Sequence, residues 1–341
     1  MRNIKNSAWL ISALFITLFA SCKKDKETEV VTENFKGALI INEGGFGKSN
    51  ASIGLYKPGT GDYFEVFKKV NGRPLGDVIQ SITLIGDRYY IIVNNSNKIE
   101  VVNKSDFKSI STINVNQPRY ILQISATKAY VSQMGGTTMS VLNLTDYSIT
   151  KTFEVKSATE NMALMNGRVY VGKSYGDKLY VINDTTDVVI DSLTVGSGLN
   201  NIVTISSTQI AVFCSGYPAV ENGKIAFINK DSVKIAKTVS LSSGTYGGMM
   251  VNKGGILYYN TGDGKIYSML SSATTAPASP IISLASGSIY GFAIDPLNSD
   301  FYLLDAGDFN SAGKVYIYNS SATFVKQFNA GIAPSKVMFN Y

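Results

Sequence analysis

Histidine is absent from all 341 residues, and with it go imidazole bases, His-ligated metals and every nucleophile that depends on a His partner. Most common hydrolase mechanisms are excluded. Cysteine is almost as scarce: Cys22 follows an apolar run and Cys214 ends the strand-like segment 210–214, so neither a disulfide framework nor a zinc spacing exists. Charge is thin at 16% of residues, with a formal balance of +6 that becomes +4 once Arg2 and Lys5 are removed with the segment that carries them. That is too little and too dispersed for nucleic acid. What the chain has is 45% hydrophobic residues, 31 Gly, 20 Tyr and 16 Phe, which suits a large folded body and excludes disorder, collagen and coiled coil.

Arg2 and Lys5 precede an uncharged run, residues 8–20, shorter than the roughly 20 helical residues that span a bilayer. It reads as the core of a signal peptide. The run ends in Leu18-Phe-Ala-Ser-Cys22, which resembles a bacterial lipobox, and this implies cleavage after residue 21 and acylation of Cys22. Lys23 to Glu29 contains no hydrophobic residue and must be solvated, so residues 22–36 are expected to form a lipidated flexible tether. Its lysine-plus-acidic character is similar to the export tags of surface lipoproteins in the Bacteroidota. The expected location is the outer membrane, held by acyl chains alone, on the cell surface or, as the alternative, facing the periplasm.

Beyond the tether one strand-like segment recurs seven times. It reads Ser52-Ile-Gly-Leu-Tyr-Lys57, Lys98-Ile-Glu-Val-Val-Asn103, Thr138-Met-Ser-Val-Leu-Asn143 and Lys178-Leu-Tyr-Val-Ile-Asn183, and returns at 224–229, 265–270 and 314–319. The copies lie 40 to 49 residues apart, the period of a propeller blade of four strands. A Tyr- and Val-rich strand precedes each copy and an apolar segment precedes that, with turn residues such as Asn166-Gly167 between them. No amphipathic helix is expected after residue 36. With strands lettered A to D outward from the axis, the folded region opens on a B strand, residues 38–42, and ends on an orphan A strand, residues 335–340. The expected architecture over residues 37–341 is therefore an all-β, seven-bladed β-propeller, four strands per blade, closed by pairing of the C-terminal strand with the N-terminal blade.

The repeats resemble the YncE or YVTN-type propellers. Within that group the segments 41–47 (Ile-Asn-Glu-Gly-Gly-Phe-Gly), 92–102 and 305–308 (Asp-Ala-Gly-Asp) are similar to surface lipoproteins of the BtuG type. The resemblance implies capture of cobalamin and a partner TonB-dependent transporter in the outer membrane.

In a propeller the B-to-C and D-to-A connections emerge on one face around the axis. Here those connections carry Phe46, Arg73, Asn95, Gln117, Arg119, Tyr120, Tyr175, Tyr217, Tyr246, Tyr290 and Phe309. Apolar anchors interleaved with amides and guanidinium groups on a rigid scaffold suit a large, amide-rich ligand. A corrinoid would find amide partners in Asn and Gln, a phosphate partner in Arg73 or Arg119, and ring cover in the tyrosines. Gly47-Lys48-Ser49 is not a P-loop, since residue 42 is Asn and a strand follows. Asp305, Asp308 and Asn310 lack the spacing of a calcium loop and are expected to cap turns. No catalytic constellation, metal or cofactor is expected, so the face reads as a non-enzymatic ligand-capture surface. The alternative reading is a scaffold that recognises a protein or a glycan.

Overall fold

The computed structural model describes residues 35–217, 220–242 and 247–341. The signal peptide, Cys22 and all but the last two residues of the tether lie outside them. Phe35 is buried, its ring 6.1 Å from that of Phe107, and its carbonyl accepts a 2.8 Å hydrogen bond from the Asn340 side chain.

Seven four-stranded antiparallel sheets follow, each in simple meander order. The inner strands are Ile79–Ile85, Pro118–Gln123, Thr159–Met165, Leu199–Ser206, Gly247–Lys253 and Gly291–Ile294 for blades 2 to 7. Blade 1 takes its inner strand, Pro334–Asn340, from the C-terminus and its second, Gly37–Asn42, from the N-terminus. Leu39 pairs with Met338 and Ile40 with Val337, in the expected register. Inner strands pack side by side from blade 2 round to blade 1, and blade 1 meets the inner strand of blade 2 through Gly37–Asn42, so closure protects the first and last strands from exposure as free edges.

The core lies between blades. Seven apolar clusters each join two neighbours: one sets Leu39, Ile41 and Ile53 of blade 1 against Tyr89 and Ile91 of blade 2, and another closes the ring with Ile40 and Tyr56 against Tyr302 and Ile317. Strands B and C are buried on both faces because each blade lies between two others, which explains their near-continuous apolar runs. The Asn that ends the third strand has its own cause. The side-chain oxygens of Asn143, Asn183 and Asn319 accept the N–H two residues on, at 2.9 to 3.0 Å, fixing the turn toward the outer strand. Asn166 and Gly167 both take positive φ, as the tight hairpin there requires.

One element departs from expectation. Val66–Asn71 is a short helix ended by Gly72 at φ 65°, and the outer strand of blade 1 shrinks to Tyr63–Glu65. Val66 and Phe67 are fully buried by it; six residues are too few for a helical period to be read from sequence.

Candidate functional site

Six of the seven inner strands carry a β-bulge at the same level. Opposite its neighbour, each inserts one extra residue: around Gln80, Arg119-Tyr120, Glu160-Asn161, Asn200, Gly248-Met249 and Ser335. A bulge bends the strand and re-aims its side chains. Repeated around the ring, it turns two consecutive residues per blade into the axial opening, where they line a cavity of about 1020 Å³.

The charged side of this cavity spans blades 2 to 4. The guanidinium of Arg119 donates to Glu160 at 2.8 Å and to the Gln80 amide oxygen at 2.5 Å, and Ser174 donates to the other Glu160 oxygen at 2.7 Å. Gln80 donates onward to the Tyr120 hydroxyl at 3.3 Å. Burial works against the Arg119 charge, but Glu160 beside it raises the guanidinium pKa above its ordinary value. Blades 5 and 6 contribute amides bound to backbone: Asn201 accepts the N–H of Met250 at 3.1 Å, and Asn260 accepts that of Met249 while donating to the Ile289 carbonyl at 2.7 Å.

Aromatic side chains line the same cavity from opposite sides of the ring. Tyr290 and Phe309 pack edge to face at 5.0 Å on blade 7, and Phe46 belongs to neighbouring blade 1. Tyr175 and Tyr217 come from blades 4 and 5, half a turn away, where the Tyr217 hydroxyl donates to the Tyr175 carbonyl at 3.4 Å. Phe46 and Tyr175 are 78% and 77% exposed, far above the buried tyrosines between blades. Tyr175 and Phe309 also hold positive φ, 51° and 61°, an uncommon conformation for bulky residues that the loops must impose. The Tyr290 hydroxyl donates to Glu43 at 3.0 Å; burial, then that carboxylate, pushes its pKa well above the usual phenol range.

Of the residues the sequence singled out, Phe46, Arg119, Tyr120, Tyr175, Tyr217 and Tyr290 line this one cavity, and Phe309 backs Tyr290. Three sit elsewhere. Arg73 is drawn to Glu100 at 2.5 Å, beneath the outer strand of blade 2. Asn95 donates to Asp77 at 2.7 Å. Gln117 holds a turn at φ 39°, with its N–H on Asn97. Tyr246 lies outside the described residues. Asp305 and Asp308 accept loop N–H groups, as turn caps do. The lining also contains Glu43, Gln80 and Lys336, which were not singled out. Aligning the inner strands one under another sets Gln80 level with Arg119 and Lys336 level with Tyr120, whereas Glu43 lies in a loop after a second strand and carries no such signal. Among the described residues no group of acidic or cysteine side chains is placed to hold a metal.

A family model described as "Domain of unknown function (DUF5074)" matches residues 36–339. No curated protein matches the chain in sequence. Among solved structures, a quinonprotein alcohol dehydrogenase-like protein from Bacteroides thetaiotaomicron superposes with a TM-score of 0.73 at 16% identity, over 90% of this chain and 79% of that one. Hydrazine synthase from Kuenenia stuttgartiensis gives 0.63 at 14%, over 75% and 88%. The dihydro-heme d1 dehydrogenase NirN in complex with DHE gives 0.61 at 10%, over 90% and 76%. At such identities the likeness is one of fold.

Proposed function

The chain belongs to the DUF5074 family, and we propose that it is a non-enzymatic surface lipoprotein that captures a corrinoid in its axial cavity and hands it to a TonB-dependent transporter. The observation that carries this reading is that aromatic side chains from opposite sides of the ring, Tyr290 and Phe46 on one and Tyr175 and Tyr217 on the other, line one cavity together with the amides of Gln80, Asn161 and Asn201. Such an arrangement fits a broad, flat ligand with apolar faces and amide-bearing edges. A volume of about 1020 Å³ lies at the top of the range of roughly 300–1,000 Å³ for small-molecule sites, which favours a ligand larger than a simple metabolite. The resemblance of segments 41–47 and 305–308 to BtuG-type lipoproteins supplies the choice of corrinoid, and the lipobox-like residues before Cys22 supply the anchor.

Binding is favoured over turnover by how the cavity's ions are used. Arg119 and Glu160 hold one another and their neighbours, which makes them positioning groups and not a free acid and base. Calorimetric titration of the full chain in detergent with cyanocobalamin tests the reading. Saturable binding at micromolar concentration or below is expected; no heat up to high micromolar concentration removes the corrinoid. Retention of an outer-membrane protein on immobilised chain, unaffected by cyanocobalamin, would favour protein recognition instead.

A further inference from the structure

The sequence placed a phosphate partner at Arg73 or Arg119, and the structure engages both elsewhere: Arg73 with Glu100, Arg119 with Glu160 and Gln80. One cation in the cavity is differently situated. Lys336 lies on the inner strand of blade 1, at the bulge-ring position occupied by Tyr120, Asn161, Asn201 and Met249 on other blades. Its ammonium sits 6.0 Å from the centre of the Tyr120 ring and makes no hydrogen bond or ion pair among the described residues. The remaining cavity carboxylate, Glu43, is turned to the Tyr290 hydroxyl. The hydroxyl of that Tyr120 ring accepts from Gln80 and keeps its own proton to donate.

We propose that Lys336, with the Tyr120 hydroxyl, is the anion-recognition point of the cavity, so that the ligand carries a phosphate or a carboxylate which docks on the blade 1 to 3 side. This rests on reading the axial cavity as a ligand site, but not on the ligand being a corrinoid. Lys336 is partly buried, and a ligand anion supplies its ammonium with the partner it lacks among the described residues, through a charge-assisted hydrogen bond. Arg119 contributes by holding Gln80, and through it Tyr120, in place. Glu43 opposes the anion by its charge.

The test uses the full chain labelled with 13C-methyl methionine, because Met134, Met162 and Met249 line the cavity and report on it. Inorganic phosphate and acetate are titrated separately, and the tighter of the two identifies the anion. Saturable shifts of these methyls are expected, weakened about tenfold or more in Lys336→Gln, restored in Lys336→Arg, and strengthened in Glu43→Gln. No saturable shift below 10 mM, or equal shifts in wild type and Lys336→Gln, overturns the proposal and marks any binding as adventitious. A second arm compares cyanocobalamin with dicyanocobinamide, which lacks the phosphate. Lys336→Gln is expected to cost the first about tenfold and the second nothing. Failure of both corrinoids to bind while phosphate still depends on Lys336 removes the corrinoid alone; corrinoid binding indifferent to Lys336 removes the anion point alone.

Discussion

Arg119 and Glu160 stand on the inner strands of neighbouring blades, 41 residues apart in sequence and 2.8 Å apart in space. Their side chains are only 16% and 12% exposed. The pair therefore joins blade 3 to blade 4 across the axis-facing surface, where no apolar layer can.

Removing one partner leaves the other charge short of solvent. Arg119→Met or Glu160→Leu is expected to cost about 2–3 kcal/mol, somewhat below the 3–5 kcal/mol of a fully buried pair. In a body of this size that lowers Tm by about 2 °C per kcal/mol. The double variant should be more stable than either single one, because it buries no uncompensated charge. Urea denaturation of the four proteins gives the coupling directly. Additive losses would mean that the pair is not a unit.

A second buried carboxylate makes stability depend on acid. Glu100 is fully buried beneath Arg73, Lys98 and Ser109. Burial alone would raise its pKa, yet the bonds from Arg73 and Ser109 and the charge of Lys98 hold it below the ordinary value of 4.5. A carboxyl whose folded pKa is depressed stabilises the fold above its unfolded value and loses that contribution as pH falls through the folded one. Glu100→Gln should therefore cost about 2 kcal/mol at pH 7, a deficit that shrinks as the pH falls below the ordinary carboxyl range. Denaturation midpoints of both proteins from pH 7 to 3 check the convergence. A constant difference across that range would assign the cost to packing.

The blades were legible in the sequence because the third strand is buried on both faces and ends in a turn-forming Asn, so Lys98–Asn103 and Lys178–Asn183 repeat nearly the same residues for the same physical reason. Closure followed from counting strands. The floor of the cavity was not legible. A bulge is one additional residue against a neighbour, invisible until the register is known, and it is the bulge that brings Gln80 and Lys336 to the axis. Arg73 misled for the converse reason: its loop position suggested the rim, but a buried Glu100, 27 residues on, offers an isolated guanidinium a better partner than solvent.

The closing strand gives a direct measure of what the ring gains by being shut. Ile40 and Val337 are opposed in an antiparallel ladder, which sets their Cα atoms at about 4.5–5.5 Å, within reach of a disulfide. In Ile40→Cys/Val337→Cys the crosslink would span nearly the whole propeller, and the chain-entropy model gives about 6 kcal/mol for a loop of that length, an upper bound that strain reduces. Comparing oxidised and reduced forms of the same variant cancels the cost of the lost side chains. The sole cysteine of the propeller, Cys214, is fully buried, and burial pushes its thiol up to about 12, so it should not compete. A rise of 2–5 kcal/mol on oxidation is expected. No rise would mean that the ends already stay paired in the denatured chain.

The aromatic walls make the last and sharpest prediction, because exposure separates their role from stability. Tyr175 is 77% exposed, so Tyr175→Ala should change folding stability by less than about 0.5 kcal/mol. Its loss should nonetheless weaken cyanocobalamin binding about tenfold, the effect of one aromatic face on a ring it covers. Tyr290→Ala should do at least as much, since it also frees Glu43 from its hydroxyl partner. Phe309→Ala acts only through Tyr290, whose ring it backs at 5.0 Å, and should cost less. Because Tyr175 and Tyr290 belong to opposite sides of the ring, a ligand that bridges the mouth must feel both, and the two losses should multiply in Tyr175→Ala/Tyr290→Ala. Calorimetry on the five proteins decides it: a double variant no weaker than the worse single one would put the ligand against one wall, leaving the cavity unbridged.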